Sequence, residues 1–372
     1  MKCLLIDVNS IIPYYTAGYV SGIGRSTLEL LNALSKIGDL PFEIVLFSQN
    51  TRGVKAKKYF PFKYLHFYLP NRPVFKNLIR IVRMKRWFCK YDLIHMPNNT
   101  DIVENEKSVI YTIHDLIVWH YPEMWGVEND TRFFSRLKSS FRNCKAIVTC
   151  SEASKKDIID FAQIPEEKVV SIPWGIDRIK FCPTKDTKYI KKIGINSLYY
   201  FSASCNHPRK NLPLLLEAFQ LYLRYGGKGQ LVLLNPIDTD LVNYQDLLEA
   251  GKIIICRGIS DEELVELYTH AQASIVVSGY EGFGLPVLES LSCYTMVLSA
   301  YNSSLIEAGG NIVDYFERLD AETISRKLLK YDLCSKSETI KKEAVDVHLS
   351  QFTWERCARL YVEFYKKQLD IL

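Results

Sequence analysis

The sequence predicts an α/β protein made of two doubly wound domains. Short apolar runs rich in β-branched residues alternate with helical patterns along nearly the whole chain, which is typical of βαβ units and parallel sheets. At 372 residues the chain is too long for one ordinary hydrophobic core. Hydrophobic residues make up 48% of it and charged residues 24%, which is the balance of a folded globular protein.

The apolar runs fall into two successive sets, which predict six strands and then five. The strands are expected at residues 3–8, 43–47, 93–96, 109–113, 146–150 and 169–172, and then at 198–202, 231–234, 253–256, 274–278 and 296–299. Helices are expected at residues 25–35, 154–161, 212–225, 261–270 and 286–291, with a terminal helix at 353–369. Prolines and a glycine interrupt the pattern at 173–183. We therefore predict a first domain over residues 1–178, a second over 179–352, and a terminal helical segment over 353–372.

A glycine-containing segment, residues 21–27, lies at the start of the first predicted helix. It resembles part of the dinucleotide-binding fingerprint, but the third glycine position holds Thr27 and the next strand ends without a ribose-binding acid. The segment therefore argues against a nicotinamide or flavin dehydrogenase.

A basic block follows the second strand: residues 51–90 contain twelve Lys or Arg and no Asp or Glu. Within it, residues 74–91 predict a cationic helix with an apolar stripe, which favours peripheral attachment to an anionic membrane. The alternative is an ordinary first-domain helix with solvated charges. A nucleic-acid surface is not favoured, because no recognition motif accompanies the charge. No apolar run is long enough to span a bilayer, so we expect a cytoplasmic protein, peripheral on the inner face of the plasma membrane.

Three loops that follow predicted strands carry candidate site residues, since ligands of doubly wound sheets bind at the carboxyl ends of strands. His114 follows the strand at 109–113, where its imidazole can bond a sugar hydroxyl or assist proton transfer. Arg209 and Lys210 follow the first strand of the second domain, where adjacent cations can neutralise a diphosphate leaving group. A structural His-Asp turn and a solvated basic turn are the respective alternatives.

The third loop, residues 278–289 (SGYEGFGLPVLE), is the most specific. A strand is followed by a glycine-rich turn, and a proline sits at the first helical position. Backbone amides and the helix N-terminus there make an anion site, and its glycines let a ligand approach closely. Glu281 and Glu289 flank this site, which suits a sugar nucleotide. The alternative is a structural turn followed by a solvated glutamate.

In this order and spacing, the motifs resemble those of the retaining glycosyltransferases of family 4, the group 1 transferases of the GT-B fold. The matching segments are residues 22–25, 114–115, 148–154, 208–211, 258–264 and 281–289. The resemblance implies two Rossmann-like domains facing a cleft, with the terminal helix crossing back to the first. It also implies a nucleotide-sugar donor on the second domain and the acceptor on the first.

The resemblance further implies roles for single residues. Arg209 and Lys210 would hold the diphosphate, His114 would meet the transferred sugar, Glu289 the ribose and Gly24 the phosphates. Sugar and phosphate would be held by Glu281 with the amides of Gly282, Phe283, Gly284 and Leu285. Two places depart from the family pattern. Ser204, which we include in the donor site, replaces an arginine of many members, and residues 294–297 (YTMV) replace Gly-x-Pro-Val.

The sequence thus predicts a retaining glycosyltransferase that uses a nucleotide-diphosphate sugar and builds a surface polysaccharide or glycolipid on a glycan or lipid-linked acceptor. GDP-mannose is the expected donor, because the segments around His114 and Lys210 resemble those of mannosyl- and rhamnosyltransferases. No metal or cofactor is expected, since Arg209, Lys210 and the helix end supply positive charge to the diphosphate. The alternatives are a sugar-nucleotide epimerase of the same fold and a catalytically silent scaffold or partner subunit.

Overall fold

The structure is a computed structural model that describes residues 1–12, 22–50, 60–68, 90–97, 107–203, 205 and 207–371, without the side chains of 49, 50, 66–68, 337 and 338. It divides into two compact units. The first comprises Met1–Gly175 and Trp354–Leu372, and the second comprises Ile176–Thr353. These limits differ by three residues and by one from the predicted divisions after residues 178 and 352.

A parallel sheet of seven strands forms the centre of the first unit, in the order β3-β2-β1-β4-β5-β6-β7. The strands are β1 Cys3–Asp7, β2 Glu43–Asn50, β3 Lys63–Tyr68, β4 Leu93–Met96, β5 Val109–Thr112, β6 Ala146–Thr149 and β7 Val169–Ser171. The prediction of six strands was wrong, because β3 was not foreseen. It pairs in parallel with β2 at the edge of the sheet.

Helices cover both faces of this sheet, since buried apolar side chains form a separate core on each face. They are α1 Gly22–Ser35, α2 Ile117–His120, α3 Thr131–Asn143, α4 Glu152–Ala162 and, from the far end of the chain, α14 Trp354–Gln368. The terminal helix α14 packs on α1 and contributes Tyr361, Phe364 and Tyr365 to one of the two cores. The expected return of the terminal helix to the first unit is therefore confirmed.

The second unit is built around a six-stranded parallel sheet in the order β10-β9-β8-β11-β12-β13. The strands are β8 Tyr199–Ser202, β9 Gln230–Leu234, β10 Ile253–Cys256, β11 Ala273–Val276, β12 Val297–Ser299 and β13 Asp314–Tyr315. The helices are α5 Lys188–Lys192, α6 Leu212–Arg224, α7 Gln245–Glu249, α8 Asp261–His270, α9 Leu285–Ser292, α10 Leu305–Gly309, α11 Ala321–Asp332, α12 Lys336–Thr339 and α13 Lys342–Leu349. The prediction of five strands missed β13, which has only two residues.

Most of the basic block lies outside the described residues, including residues 74–89 of its predicted helix. The last two residues of that prediction, Lys90 and Tyr91, are described and are not helical, and Tyr91 is buried in the first-unit core. No helix of the described part has the length and apolar composition needed to cross a bilayer.

Candidate active site

Two loops of the second unit meet at the point where the strand order of its sheet reverses. β8 and β11 are neighbours there, and the chain leaves their carboxyl ends in opposite directions across the sheet. Arg209 and Lys210 lie in a short 3-10 helix, Pro208–Lys210, after β8, whereas Glu281 lies between β11 and α9. The amide of Gly279 donates to the carbonyl of Arg209 at 2.8 Å, which ties the two loops together.

The predicted site residues of these loops form one buried ion cluster. Arg209 Nη1 lies 2.7 Å from Glu281 Oε2, and Lys210 Nζ donates to Glu281 Oε1. Ser278 Oγ also donates to Oε1, at 2.7 Å, and Arg209 Nη1 donates to the carbonyl of Tyr280 at 2.7 Å. The side chains of Lys210 and Glu281 are only 5% and 7% exposed. Residues expected to hold different parts of a donor therefore also hold one another.

Burial and charge act against each other on this cluster. Burial favours the neutral form of Glu281, but Lys210 and Arg209 outweigh it and lower the pKa of the carboxyl to about 2. Burial is also the largest influence on Lys210, whose pKa is lowered even though Glu281 stabilises the ammonium. Arg209 Nε is buried and has no hydrogen-bond partner among the described residues. Two cations and one carboxylate leave a single net positive charge, and Arg209 has a donor available for an anion.

His207 caps the short helix that carries the two cations. Its Nδ1 accepts a hydrogen bond from the amide of Arg209 at 3.3 Å. Burial, followed by the charges of Arg209 and Lys210, lowers the pKa of His207 to about 4. The structure thus places a neutral, partly buried imidazole ring beside the two cations.

The glycine-rich turn that follows Glu281 opens helix α9. Gly284 has φ +96° and immediately precedes the helix, and Pro286 lies in the first helical turn. The backbone angle favours glycine, and a Cβ on Gly284 would crowd Ala308, whose Cβ would lie 3.1 Å away. Phe283 is buried against Phe352 with ring centroids 6.1 Å apart. The amides of Gly282, Phe283, Gly284 and Leu285 thus lie at the start of α9, where the sequence places the phosphate site.

Glu289 lies more than one turn into α9 and is buried. Its Oε2 accepts a hydrogen bond from the hydroxyl of Tyr268 at 2.8 Å. Tyr268 is itself buried, and burial raises the pKa of its phenol well above the usual range, so it acts as a donor. The carboxylate expected to bind ribose is therefore oriented by a residue that the sequence did not indicate.

In the first unit, His114 follows β5 as predicted and is buried. Its Nε2 lies 3.2 Å from the carbonyl oxygen of Pro97, which can only accept, so Nε2 carries the hydrogen. Burial lowers the pKa of His114 to about 4, although the bond to Pro97 opposes this, and the ring is neutral at pH 7. Trp174 packs edge-on against the ring with centroids 5.1 Å apart.

The α1 helix contributes to the same region of the first unit. Gly24 is its third residue and is buried. Ser26 and Thr27 of α1 line a small recess together with His114 and Tyr361 of α14. The structure therefore brings the beginning of α1 and His114 together, whereas the predicted contact of Gly24 with phosphate stays a prediction. Ser204, predicted as part of the donor site, lies outside the described residues.

The departure at residues 294–297 has a structural counterpart. Tyr294, which stands where the family has glycine, adopts φ +50°, a left-handed conformation that favours glycine. Its hydroxyl donates to Asp346 Oδ1 at 2.8 Å, and Lys342 Nζ lies 5.2 Å from the centre of its ring. Side-chain contacts thus hold a turn that the glycine would form without strain.

Two other features of the second unit resemble ligand sites. A groove of about 660 Å³ lies between residues 179–192 and α8, and four of its eight charged lining residues are paired with one another, Lys180 with Asp261 and Lys188 with Asp186. None of the predicted site residues lines it. The chain has an Asp-x-Asp sequence at Asp238–Asp240, where Asp238 pairs with Arg257. Among the described residues no group of three or more His, Cys, Asp or Glu is placed to hold a metal ion.

Both units match models of known protein families. Residues 20–179 match the family model described as Glycosyltransferase Family 4, and residues 186–330 match the one described as Glycosyl transferases group 1. The O-antigen chain mannosyltransferase B of Escherichia coli is 26% identical, with 93% of this chain and 96% of that protein covered.

Solved structures show the same fold over the full length. Sucrose-phosphate synthase (tll1590) from Thermosynechococcus elongatus has a TM-score of 0.76 at 16% identity, with 100% of both chains covered. Anabaena Alr3699/HepE in complex with UDP and glucose has a TM-score of 0.72 at 15% identity, covering 98% of this chain and 99% of that one. With two Rossmann-like units of the GT-B type and matches to both family models, the chain belongs to the group 1 glycosyltransferases of glycosyltransferase family 4.

Proposed function

We propose that the chain is a retaining glycosyltransferase that moves mannose from GDP-mannose to a glycan or lipid-linked acceptor during synthesis of a surface polysaccharide or glycolipid. The observation that carries the proposal is the buried cluster of Arg209, Lys210 and Glu281 at the strand-order reversal of the second sheet. Mannose as the transferred sugar is supported by the relatives, which include O-antigen chain mannosyltransferases. Retention of the anomeric configuration follows from the family resemblance.

The cluster suits a diphosphate leaving group. When the bond between the anomeric carbon and the diphosphate oxygen breaks, negative charge builds up on the diphosphate. Fixed cations that are already oriented stabilise this charge without reorganisation. Arg209 and Lys210 are held in place by Glu281, and Arg209 Nε is available to donate to a phosphate oxygen. This positive charge is also why we propose that no metal ion is needed.

Glu281 and His114 can each accept a hydrogen bond from a sugar hydroxyl. Glu281 is ionised at neutral pH, and each carboxylate oxygen can accept more than one hydrogen bond, so sugar hydroxyls can donate to it beside Lys210. The neutral ring of His114 can accept a hydrogen bond from a hydroxyl at the nitrogen that carries no hydrogen. Neither group has to lose a proton before the donor binds.

Donor binding tests the proposal first. A thermal-shift series with GDP-mannose, UDP-glucose and GDP should raise the Tm with GDP-mannose, because a ligand at 100 times its Kd stabilises the folded state by about 2.7 kcal/mol. A shift with UDP-glucose and none with GDP-mannose would reject the proposed donor. No shift with any nucleotide sugar would favour the silent scaffold.

Substitution tests the roles of the residues. Glu281→Ala, Lys210→Ala and His114→Ala should each lower turnover by roughly 10²–10³-fold, the usual effect of losing a preorganised group that stabilises a transition state. Lys228→Ala and His120→Ala, at exposed positions, are the matched controls and should keep turnover. Wild-type turnover in Glu281→Ala and Lys210→Ala would contradict the assignment.

The products separate the remaining alternatives. NMR of the reaction should show the donor's anomeric configuration preserved in the new linkage, and turnover should persist in excess EDTA. An epimerase would instead convert the sugar nucleotide without any acceptor. An inverted linkage would contradict retention, and loss of turnover that Mg²⁺ restores would contradict independence of metal.

A further inference from the structure

The segment that follows β12 holds the backbone of the Glu281 loop. Ser303 Oγ accepts a hydrogen bond from the amide of Glu281 at 3.1 Å, and Ser304 Oγ donates to the carbonyl of Glu281 at 2.8 Å. Asn302 Nδ2 donates to the carbonyl of Ser278 at 2.9 Å. The backbone amide and carbonyl of Glu281 are therefore both held by side chains from a neighbouring loop, which the sequence did not indicate.

Ser303 reaches this position through an unusual backbone. Its φ is +41°, in the left-handed region that serine seldom adopts. Its hydroxyl lies 3.2 Å from Asn302 Oδ1, to which it donates. The hydroxyl can therefore give its own hydrogen to Asn302 while it accepts the amide of Glu281. Strained residues that a surrounding structure maintains are concentrated at functional sites, and this one touches the centre of the proposed donor site.

We propose that Ser303 is a positioning residue for donor binding. Its hydroxyl fixes the peptide of Glu281, so that the carboxylate stays between Arg209 and Lys210. The same contact fixes where the glycine-rich turn leaves Glu281 and enters α9. Ser304 is fully buried at the start of α10 and serves stability as well, which makes Ser303 the residue on which the positioning role can be isolated. The inference rests on the proposed function, because the bound group is taken to be a nucleotide-diphosphate sugar.

Three substitutions separate the hydroxyl from the backbone angle. Ser303→Ala removes the hydroxyl and keeps the unfavourable φ. Ser303→Gly removes the hydroxyl and relieves the backbone, so it should be more stable than Ser303→Ala. Ser303→Thr keeps a hydroxyl but puts a β-branched side chain at positive φ, so it should be the least stable. Across the three variants, the free energy of unfolding and the presence of a hydroxyl at position 303 thus change independently.

The first measurement is hydrogen exchange of the ligand-free protein, followed by mass spectrometry over residues 281–285. Ser303→Ala and Ser303→Gly should both speed exchange there by about tenfold, because the amide of Glu281 loses its acceptor. Ser303→Thr should exchange like the wild type. Wild-type exchange in Ser303→Ala and Ser303→Gly would overturn the proposal, whether or not a donor binds.

The second measurement is the Kd for GDP-mannose. We expect Ser303→Ala and Ser303→Gly to bind about tenfold more weakly, and Ser303→Thr to bind nearly as tightly as the wild type. Gln163→Gly, which relieves a positive φ of 53° in the first unit, should raise the Tm and leave this Kd unchanged. Full binding in Ser303→Gly would show a purely structural role and overturn the proposal. Failure of the wild type to bind would instead count against the proposed function, and the exchange result would still decide the role of Ser303.

Discussion

Replacing Glu281 with glutamine tests whether the ion cluster stabilises the second unit. The change removes the negative charge from between Arg209 and Lys210. The pKa of the carboxyl is lowered from 4.5 to about 2, and since one pKa unit corresponds to about 1.4 kcal/mol, the site favours the ionised form by about 3 kcal/mol. Breaking a buried ion pair by removing one partner typically costs about 3–5 kcal/mol. We therefore expect Glu281→Gln to lower the free energy of unfolding by about 3 kcal/mol at pH 7.

Urea unfolding can assign that loss to one unit. All five tryptophans lie outside residues 176–353, so tryptophan fluorescence reports the first unit, whereas circular dichroism reports both. Glu281→Gln should move the circular dichroism transition of the second unit and leave the fluorescence transition in place. Glu249→Gln, at an exposed position in α7, is the matched control and should change neither.

A double substitution decides whether charge is the cause. Adding Lys210→Met to Glu281→Gln removes both charges of the closest pair, so most of the lost stability should return. The reasoning would be refuted if Glu281→Gln cost less than about 1 kcal/mol, or if the two single effects simply added in the double variant.

Three further predictions concern pH, the glycine turn and the basic block. Burial lowers the pKa of His114 from 6.5 to about 4, so as the pH falls His114 is protonated in the unfolded chain before it is protonated in the folded protein. The contribution of the neutral ring to the free energy of unfolding is therefore complete above pH 6.5 and is lost as the pH falls to 4. A Tm that stays constant over this range would contradict the prediction. Gly284→Ala should lower the Tm and weaken GDP-mannose binding, because a Cβ would crowd Ala308, whereas Gly251→Ala, at φ +65° with nothing within 4 Å, should show only the backbone strain. Liposome co-sedimentation should require anionic lipid and weaken with salt if residues 51–90 attach the protein to membranes; equal pelleting with neutral vesicles, or none with either, would favour a solvated face.

Most strands could be predicted from the sequence because central strands of parallel sheets are continuous apolar runs. The two that were missed are edge strands. In β3, Lys63 and His66 interrupt the apolar residues, and the strand lies in a block that otherwise suggests only positive charge. β13 has two residues, too few to show a period. Edge strands bury fewer side chains than central strands, so their sequences show less of the apolar pattern on which strand prediction depends.

The residue types at the site could also be predicted, but not their mutual contacts. A loop with Arg209 and Lys210 and a glycine-rich turn with Glu281 each indicate phosphate or sugar binding when read alone. Their pairing depends on β8 and β11 being neighbours, and strand order is a property of the whole sheet. Ser303 carried no signal at all, since serine is common in turns and its left-handed backbone is visible only in three dimensions.

The place of α14 has a consequence for the order in which the chain folds during synthesis. The 178 residues of the second unit are made between the body of the first unit and the helix that completes its core. At about 5–20 residues per second, a ribosome needs about 10–35 seconds to make them. During that time the surface destined for Tyr361, Phe364 and Tyr365 has no cover from α14, and the second unit can finish folding first. The part of the protein that is translated first is thus the last to reach its final form, and its exposed apolar surface is where a chaperone would bind the nascent chain.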